Sequence, residues 1–239
     1  MAKKRQAKGI EFLGKIPSLK ITQYDRDGEI VTRKSYSRSR SGNSRKQFIQ
    51  QQRQRHSIAL WKELPLLEPK FTQLKIKYQR FISLVNKLTV VYMPKNKVEV
   101  EGSLLIPGIP VSDGSLPPIG QQLGEVNGTP ALITDFKTTD LRPYEVYVLF
   151  TAEQLFGRRD VPRVAFSVRE VGREEFVSVD GSVALAGEEF SNEMRGWALV
   201  RLGTKGCSSQ GIVTRCTYYE RYTTEEALQE AAKSYGGLK

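Results

Sequence analysis

The side chains with the clearest chemistry to offer in this 239-residue sequence are cations: Lys3, Lys4, Arg5 and Lys8, then Arg33, Lys34, Arg38, Arg40, Arg45 and Lys46, then Arg53 and Arg55. Ser, Asn and Gln flank many of them and also bond phosphate oxygens. The pattern therefore suits the electrostatic holding of a polyanion or an acidic protein surface, with no sequence code in it. Tyr24, Tyr36 and Phe48 are interleaved with these cations. Such aromatics stack on bases or form a small apolar core, and we expect the core of a hairpin. The charge is partitioned along the chain: residues 1–97 carry 23 Lys and Arg against 6 Asp and Glu, whereas residues 98–239 carry 14 against 20. A field of that sign over one segment attracts phosphate or an acidic face, and the second part exerts no such pull.

Catalytic chemistry is harder to place. His56 is the single histidine, and its place among basic residues on an expected helix suggests a solvent-facing or capping role. Cys207 and Cys216 sit in the β-rich run GCSSQGIVTRC, and we expect two reduced thiols with no bond between them. One histidine and two cysteines supply no His/Cys metal-ligand set. No Gly-rich phosphate loop, nucleophile elbow or His-Glu-x-x-His helix occurs. Glu174-Glu175 and Glu188-Glu189 are adjacent, and neighbours on a strand point to opposite faces, so these pairs suit turns or solvated rims. The expectation is a non-enzymatic protein with no cofactor and no metal.

The elements that would position the cations follow from pattern. Residues 1–10 are almost devoid of apolar side chains and suit a flexible arm. From Pro17 to Tyr36, LKITQY and EIVTRKSY flank DRDG and read as a hairpin, with Gly28 at the turn. SRSRSGNSRK then reads as a hinge or arm. A helix is expected over 44–64, capped by Asn43 or Ser44 and stopped by Pro65. A second is expected over 69–88, where Phe71, Leu74, Tyr78, Phe81, Val85 and Leu88 recur at helical spacing and Lys70, Lys75, Lys77, Arg80 and Lys87 take other faces.

Past Leu88 the period becomes two. TVVYM, KVEVEG, QQLGEV, PALITDF, YEVYVLF, RVAFSVREV, FVSVDGSVAL, GWALVRLG and GIVTRCTYY are separated by Gly, Pro, Asn and Asp, as in an antiparallel sandwich or barrel. Leu105–Gly120 reads as a long loop, and a short helix capped by Thr224 ends at Gly236-Gly237. The fold class expected is α+β, mostly β: a basic N-terminal hairpin and two helices, then an antiparallel immunoglobulin-like β-sandwich. The divisions fall at 1–43, 44–88, 89–222 and 223–239. No apolar run is long enough for a membrane span, and MAKKRQAKG opens no secretory signal. The expected setting is the cytoplasm, or a host cytoplasm and then a virion.

KGIEFLGKIPSLKITQYDRDGEIVTRK followed by NSRKQFIQQQRQRHSIALWKEL resembles an uncharacterised Bacteroidota family that opens with a Gly-containing hairpin and a Gln/Arg-rich helix. Some of its members occur in phage or prophage settings. YEVYVLF, GWALVRLG and CSSQGIVT resemble the strands that end that family's sandwich, with Cys207-Ser208-Ser209-Gln210 at the step before the last strand. The chain departs from the family in its more basic arm and its Pro/Gly-rich Leu105–Gly120 loop. The resemblance implies an accessory or structural protein of a large assembly, with other assembly or virion proteins as partners and a homo-oligomer in keeping. It supplies no site residues. Two other readings stay open: a nucleic-acid-binding protein with a sandwich scaffold, and a carbohydrate- or ligand-binding module.

Overall fold

The computed structural model describes residues 14–16, 21–26, 29–34, 44–64, 74, 76–88 and 102–234. The chain divides into two compact units, Met1–Gly42 and Asn43–Lys239. In the first, β1 (Gly14–Ile16), β2 (Ile21–Arg26) and β3 (Glu29–Lys34) form one antiparallel sheet in that order. β2 and β3 are the expected hairpin. Their register closes on Arg26↔Glu29, leaving only Asp27 and Gly28 between them, the two-residue spacing that Asp-Gly favours.

The second unit opens with α1 (Arg45–Glu63), which begins where the sequence placed it. The Gln47 N–H donates to Ser44 Oγ (3.3 Å) and the Ser44 N–H to Gln47 Oε1 (3.0 Å), a reciprocal cap that satisfies two otherwise orphaned donors. Phe48, Gln52, His56, Ala59 and Leu60 are its buried residues at spacings of three and four. Phe48 thus belongs to the core under α1 rather than to a hairpin core.

The second helix is shorter than expected: α2 spans Tyr78–Val85, and Lys77 before it is extended. Leu74 and Ile76 are both buried, Lys77 is exposed, and LKIKY alternates with period two. Leu74 lies in a 3-10 turn, and the part of the expected helix over 69–73 and at 75 lies outside the described residues. Tyr78, counted on the apolar face, is 44% exposed and stands edge-on to Trp61.

The rest is antiparallel sheet: β4 (Pro110–Ser112), β5 (Gln121–Val126), β6 (Thr129–Thr134), β7 (Val146–Phe156), β8 (Pro162–Val171), β9 (Phe176–Val179), β10 (Ser182–Ala186), β11 (Arg195–Gly203), β12 (Gly206–Cys207), β13 (Gln210–Gly211) and β14 (Val213–Thr214). α3 (Glu225–Ser234) follows, with the Ala227 N–H donating to Thr224 Oγ1 at 3.3 Å. One sheet runs β5-β6-β10-β9 and the other β12-β11-β7-β8. Successive hairpins alternate between them. TVVYM, most of KVEVEG, Pro65, Pro69 and Gly236-Gly237 lie outside the described residues. Among the described residues no helix is long and apolar enough to cross a membrane.

Two cores result. Tyr147, Leu149, Val171, Trp197 and Leu199 of the second sheet meet Leu132, Val183 and Leu185 of the first. The intervening residues of the same strands, Val148, Phe150, Ala152, Ala198 and Val200, pack with Leu60 of α1 and with Phe81 and Val85 of α2. The central sheet is therefore covered on both faces, and its strands read as near-continuous apolar runs. Each fully buried Leu, Val or Phe here contributes about 1.5–3 kcal/mol, which holds α1 against the body despite its polar composition.

Leu105–Gly120 is not simply a surface loop. Leu105, Ile106, Ile109, Val111 and Ile119 are buried, and β4 within it pairs with β13. The segment reaches the core because other groups satisfy its backbone. The Leu105 N–H donates to Gln154 Oε1 (2.7 Å) and the Gly108 N–H to the Ile212 carbonyl (2.9 Å). At Gly114 a Cβ would sit 2.0 Å from the Cys207 carbonyl oxygen, so only glycine permits this crossing.

The outer edge of β11 is closed piecewise. β14 pairs at Gly196–Trp197 and β12 at Leu202–Gly203. Between them the Leu199 N–H donates to Gln121 Oε1 (2.8 Å), Gln121 Nε2 donates to the Leu199 carbonyl (3.0 Å), and the Arg201 N–H donates to Ser208 Oγ (3.0 Å). A side-chain amide and a hydroxyl thus stand in for strand backbone.

Cys207 and Cys216 are both buried free thiols, and burial pushes each above its ordinary pKa. Unfolding in alkylating reagent without reductant is expected to label both, while the native protein labels slowly because the thiolate is suppressed. Mass spectrometry that finds an intact bridge overturns this.

Candidate functional site

The twelve basic residues do not form a single described surface. Lys3, Lys4, Arg5, Lys8, Arg38 and Arg40 lie outside the described residues, and Arg33 and Lys34 end β3 in the first unit. Arg45, Lys46, Arg53 and Arg55 ride on α1 in the second. At about 100° per residue, Lys46 and Arg53 fall on one flank of the buried stripe and Arg55 on the other. The exposed face between the flanks is glutamine: Gln47, Gln50, Gln51 and Gln54.

Environment separates Arg45, Lys46 and Arg53 further, and Arg80 on α2 is a fourth case. Arg45 is ion-paired to Glu225 of α3, which ties the helix to the C-terminal segment. Lys46 is exposed. Arg53 is half-buried, and its Nε has no hydrogen-bond partner. Arg80 is held by Asp113 through a fork of 2.8 and 3.2 Å, and that bond keeps the Asp113 carboxyl below its usual range.

His56 is not solvent-facing and caps nothing. It is 2% exposed, and its Nε2 lies 3.2 Å from both the N and the O of Leu104. Desolvation lowers its pKa to about 4, with the Leu104 bond opposing the shift. Around it Ser103 Oγ accepts from the Val164 N–H (2.9 Å), and Gln154 Nε2 donates to the Ser103 and Arg163 carbonyls (3.3 and 3.1 Å). This polar seam fastens α1 and residues 103–105 to β7 and β8. His56 Nε2, Ser103 Oγ and Gln154 are bonded to backbone, so the seam serves position.

An open cleft with polar lining occupies about 350 Å³ over β7 and β8. Leu149, Thr151, Glu153, Ser167, Arg169 and Arg195 contribute to its wall. Its charges neutralise one another: Arg195 pairs with Glu153 (2.9 Å), and Arg169 with Glu175 (2.6 Å) and Glu189 (3.3 Å). Burial works against the Glu175 charge, but the Gly172 N–H and Arg169 outweigh it and hold that carboxyl below its usual range. Sequence reading placed Glu174-Glu175 and Glu188-Glu189 in turns, and both pairs do occupy short 3-10 turns. It missed that Arg169 draws one member of each together. Exposed pairs of this kind contribute at most about 1 kcal/mol apiece and offer hydrogen bonds rather than acid–base chemistry.

Among the described residues no group of His, Cys, Asp or Glu is placed to hold a metal ion. Comparison of the chain with protein-family models, with curated proteins and with solved structures gives no match.

Proposed function

We propose that this chain is a non-enzymatic structural or accessory protein of a large assembly. In this reading an immunoglobulin-like body makes protein contacts and the basic N-terminal unit anchors it to a polyanion. The observation that carries the reading is that the positive excess lies in a compact unit of its own and in the segment that follows it up to residue 97, whereas residues 98–239 hold 14 Lys and Arg against 20 Asp and Glu. Met1–Gly42 forms its own unit and holds 11 Lys and Arg against 4 Asp and Glu, while the remaining 197 residues hold 26 against 22. A domain of ordinary surface needs no such excess, whereas a phosphate-binding one does.

The strand order supports the immunoglobulin-like reading of the body. β5-β6-β10-β9 opposite β12-β11-β7-β8 corresponds to the A-B-E-D and G-F-C-C′ sheets of that fold. Here the core tryptophan, Trp197, comes from the F-equivalent strand. The loose likeness to a family with phage members favours a virion as the assembly.

Binding of the full chain to a labelled duplex, a single strand and an acidic peptide at 50 to 200 mM salt tests the anchor. With about six phosphate contacts, log affinity is expected to fall against log salt with a slope of about −4 to −5. Arg38→Glu with Arg40→Glu should weaken binding of every nucleic-acid sequence alike and leave the melting temperature in place. Salt-independent affinity, or reversal variants that bind as the parent does, removes the anchor.

A further inference from the structure

The cleft over β7 and β8 lies on a row of polar groups that the fold leaves unpartnered. The register sets Ser167 of β8, Thr151 of β7 and Trp197 of β11 side by side. Cross-strand partners share a face, and here it is the face that carries Leu149. Thr151 and Ser167 line the cleft, and neither hydroxyl has a hydrogen-bond partner among the described residues. Trp197, the third member of the row, is fully buried, and its indole N–H has no partner either. A buried indole N–H ordinarily finds an acceptor. Ion pairs bracket the row on both sides. Arg195, Glu153 and Ala165 form the next row one way, with Arg195 paired to Glu153 at 2.9 Å. Leu199, Leu149 and Arg169 form it the other way, with Arg169 paired to Glu189 at 3.3 Å.

We propose that this cleft binds a neutral carbohydrate, a mono- or disaccharide unit in size. The proposal goes beyond the polyanion anchor and uses only the unit Asn43–Lys239. At about 350 Å³ the cleft stands at the lower end of the roughly 300–1,000 Å³ that small-molecule sites occupy. Its charges decide the class of ligand. An anion would meet Glu153 and Glu189, and a cation would meet Arg169 and Arg195, so either must break an ion pair to bind. A neutral ligand keeps both pairs. An apolar one would leave Thr151, Ser167 and the indole N–H unsatisfied. A sugar hydroxyl donates and accepts at once, which suits the serine and threonine hydroxyls, the guanidinium donors and the carboxylate acceptors together. The C–H face of the ring then packs on Leu149 and Ala165, the apolar part of the wall. A peptide strand binds a sheet through its edge, whereas this cleft opens on a face.

The test applies the full chain to a printed panel of neutral oligosaccharides and their sialylated forms. The tightest neutral one is then titrated into the full chain carrying Trp61→Phe, in which Trp197 is the remaining tryptophan. A neutral oligosaccharide should be retained, its sialylated form should bind no tighter, and the Trp197 emission should change on binding. Affinity should stay within about twofold as salt rises, because no condensed counterions are released. Thr151→Val with Ser167→Ala should lower it about tenfold or more. Those two hydroxyls bond nothing among the described residues, so the urea midpoint should stay in place. Glu153→Gln, which keeps the shape and removes the charge of one acceptor, should lower affinity about tenfold. A panel that retains no neutral oligosaccharide, tighter binding of the sialylated forms, affinity that falls steeply with salt, unmoved Trp197 emission, or a doubly substituted protein that binds as the parent does overturns the carbohydrate site. Each of these leaves the anchor standing.

Discussion

Val148→Asp and Leu149→Asp are each expected to unfold the body of the protein, although the two residues are neighbours on β7. Successive strand residues point to opposite faces, so in a sheet with one solvated face one of the two would be harmless. Here both are fully buried: Val148 packs in the cluster shared with the helices, and Leu149 in the one shared with the other sheet. An unpaired carboxylate in either place costs several kcal/mol, a large part of the roughly 5–15 kcal/mol that holds a domain together. Val177→Asp is the matched control, since Val177 is 40% exposed on β9, and its cost should stay within about 0.5 kcal/mol. Urea unfolding followed by circular dichroism gives all three values. A folded, stable Val148→Asp protein would mean that the helices do not cover this sheet in solution.

That two-sided burial marks where sequence reasoning stopped. The strands were legible because their turns are local: Asn127-Gly128 and Asp180-Gly181 take positive φ at both residues, which is why Asn-Gly and Asp-Gly link β5 to β6 and β9 to β10. The Ser44–Gln47 cap was legible for the same reason, three residues apart. YEVYVLF and GWALVRLG also gave strands, but their failure to alternate, which signals a covered outer face, was not used. The start of α2 is not legible from apolar spacing alone, because extended Lys77 lies between Leu74 and Tyr78, two positions that fit a helical repeat.

What determines the environment of the candidate site residues is distant in sequence. Arg45 meets Glu225, 180 residues on, and His56 meets Leu104, 48 residues on. No periodicity encodes such partners. Arg45, one of the cations grouped by sequence, is thus tied to α3 while it stays at the surface. The charge asymmetry survives because it is additive, whatever the fold does with each side chain.

Between pH 7 and pH 4 the body is expected to lose about 3 kcal/mol through His56 alone. Its folded pKa is about 4 against an ordinary 6.5, a gap worth about 1.36 kcal/mol per pH unit. Above pH 6.5 the ring is neutral in both states and stability does not vary with it. As pH falls from 6.5 to 4 the unfolded chain takes up the proton and the folded one does not, so the unfolded state gains, and below 4 the effect levels off. Carboxylates held low, such as Asp113 and Glu175, release their contribution in a lower window, as pH falls through their depressed folded values. The interval from pH 6.5 to 5 therefore reports His56 with little interference. His56→Gln keeps a group able to bond the Leu104 backbone but cannot titrate. Its urea midpoint should be lower than the parent's at pH 7 and should stay nearly flat across that interval, so that the two proteins converge as acid is added. Parallel curves would mean that the histidine is reached by solvent, and α1 would then be held to the sheet by its apolar contacts and ion pairs without the polar seam.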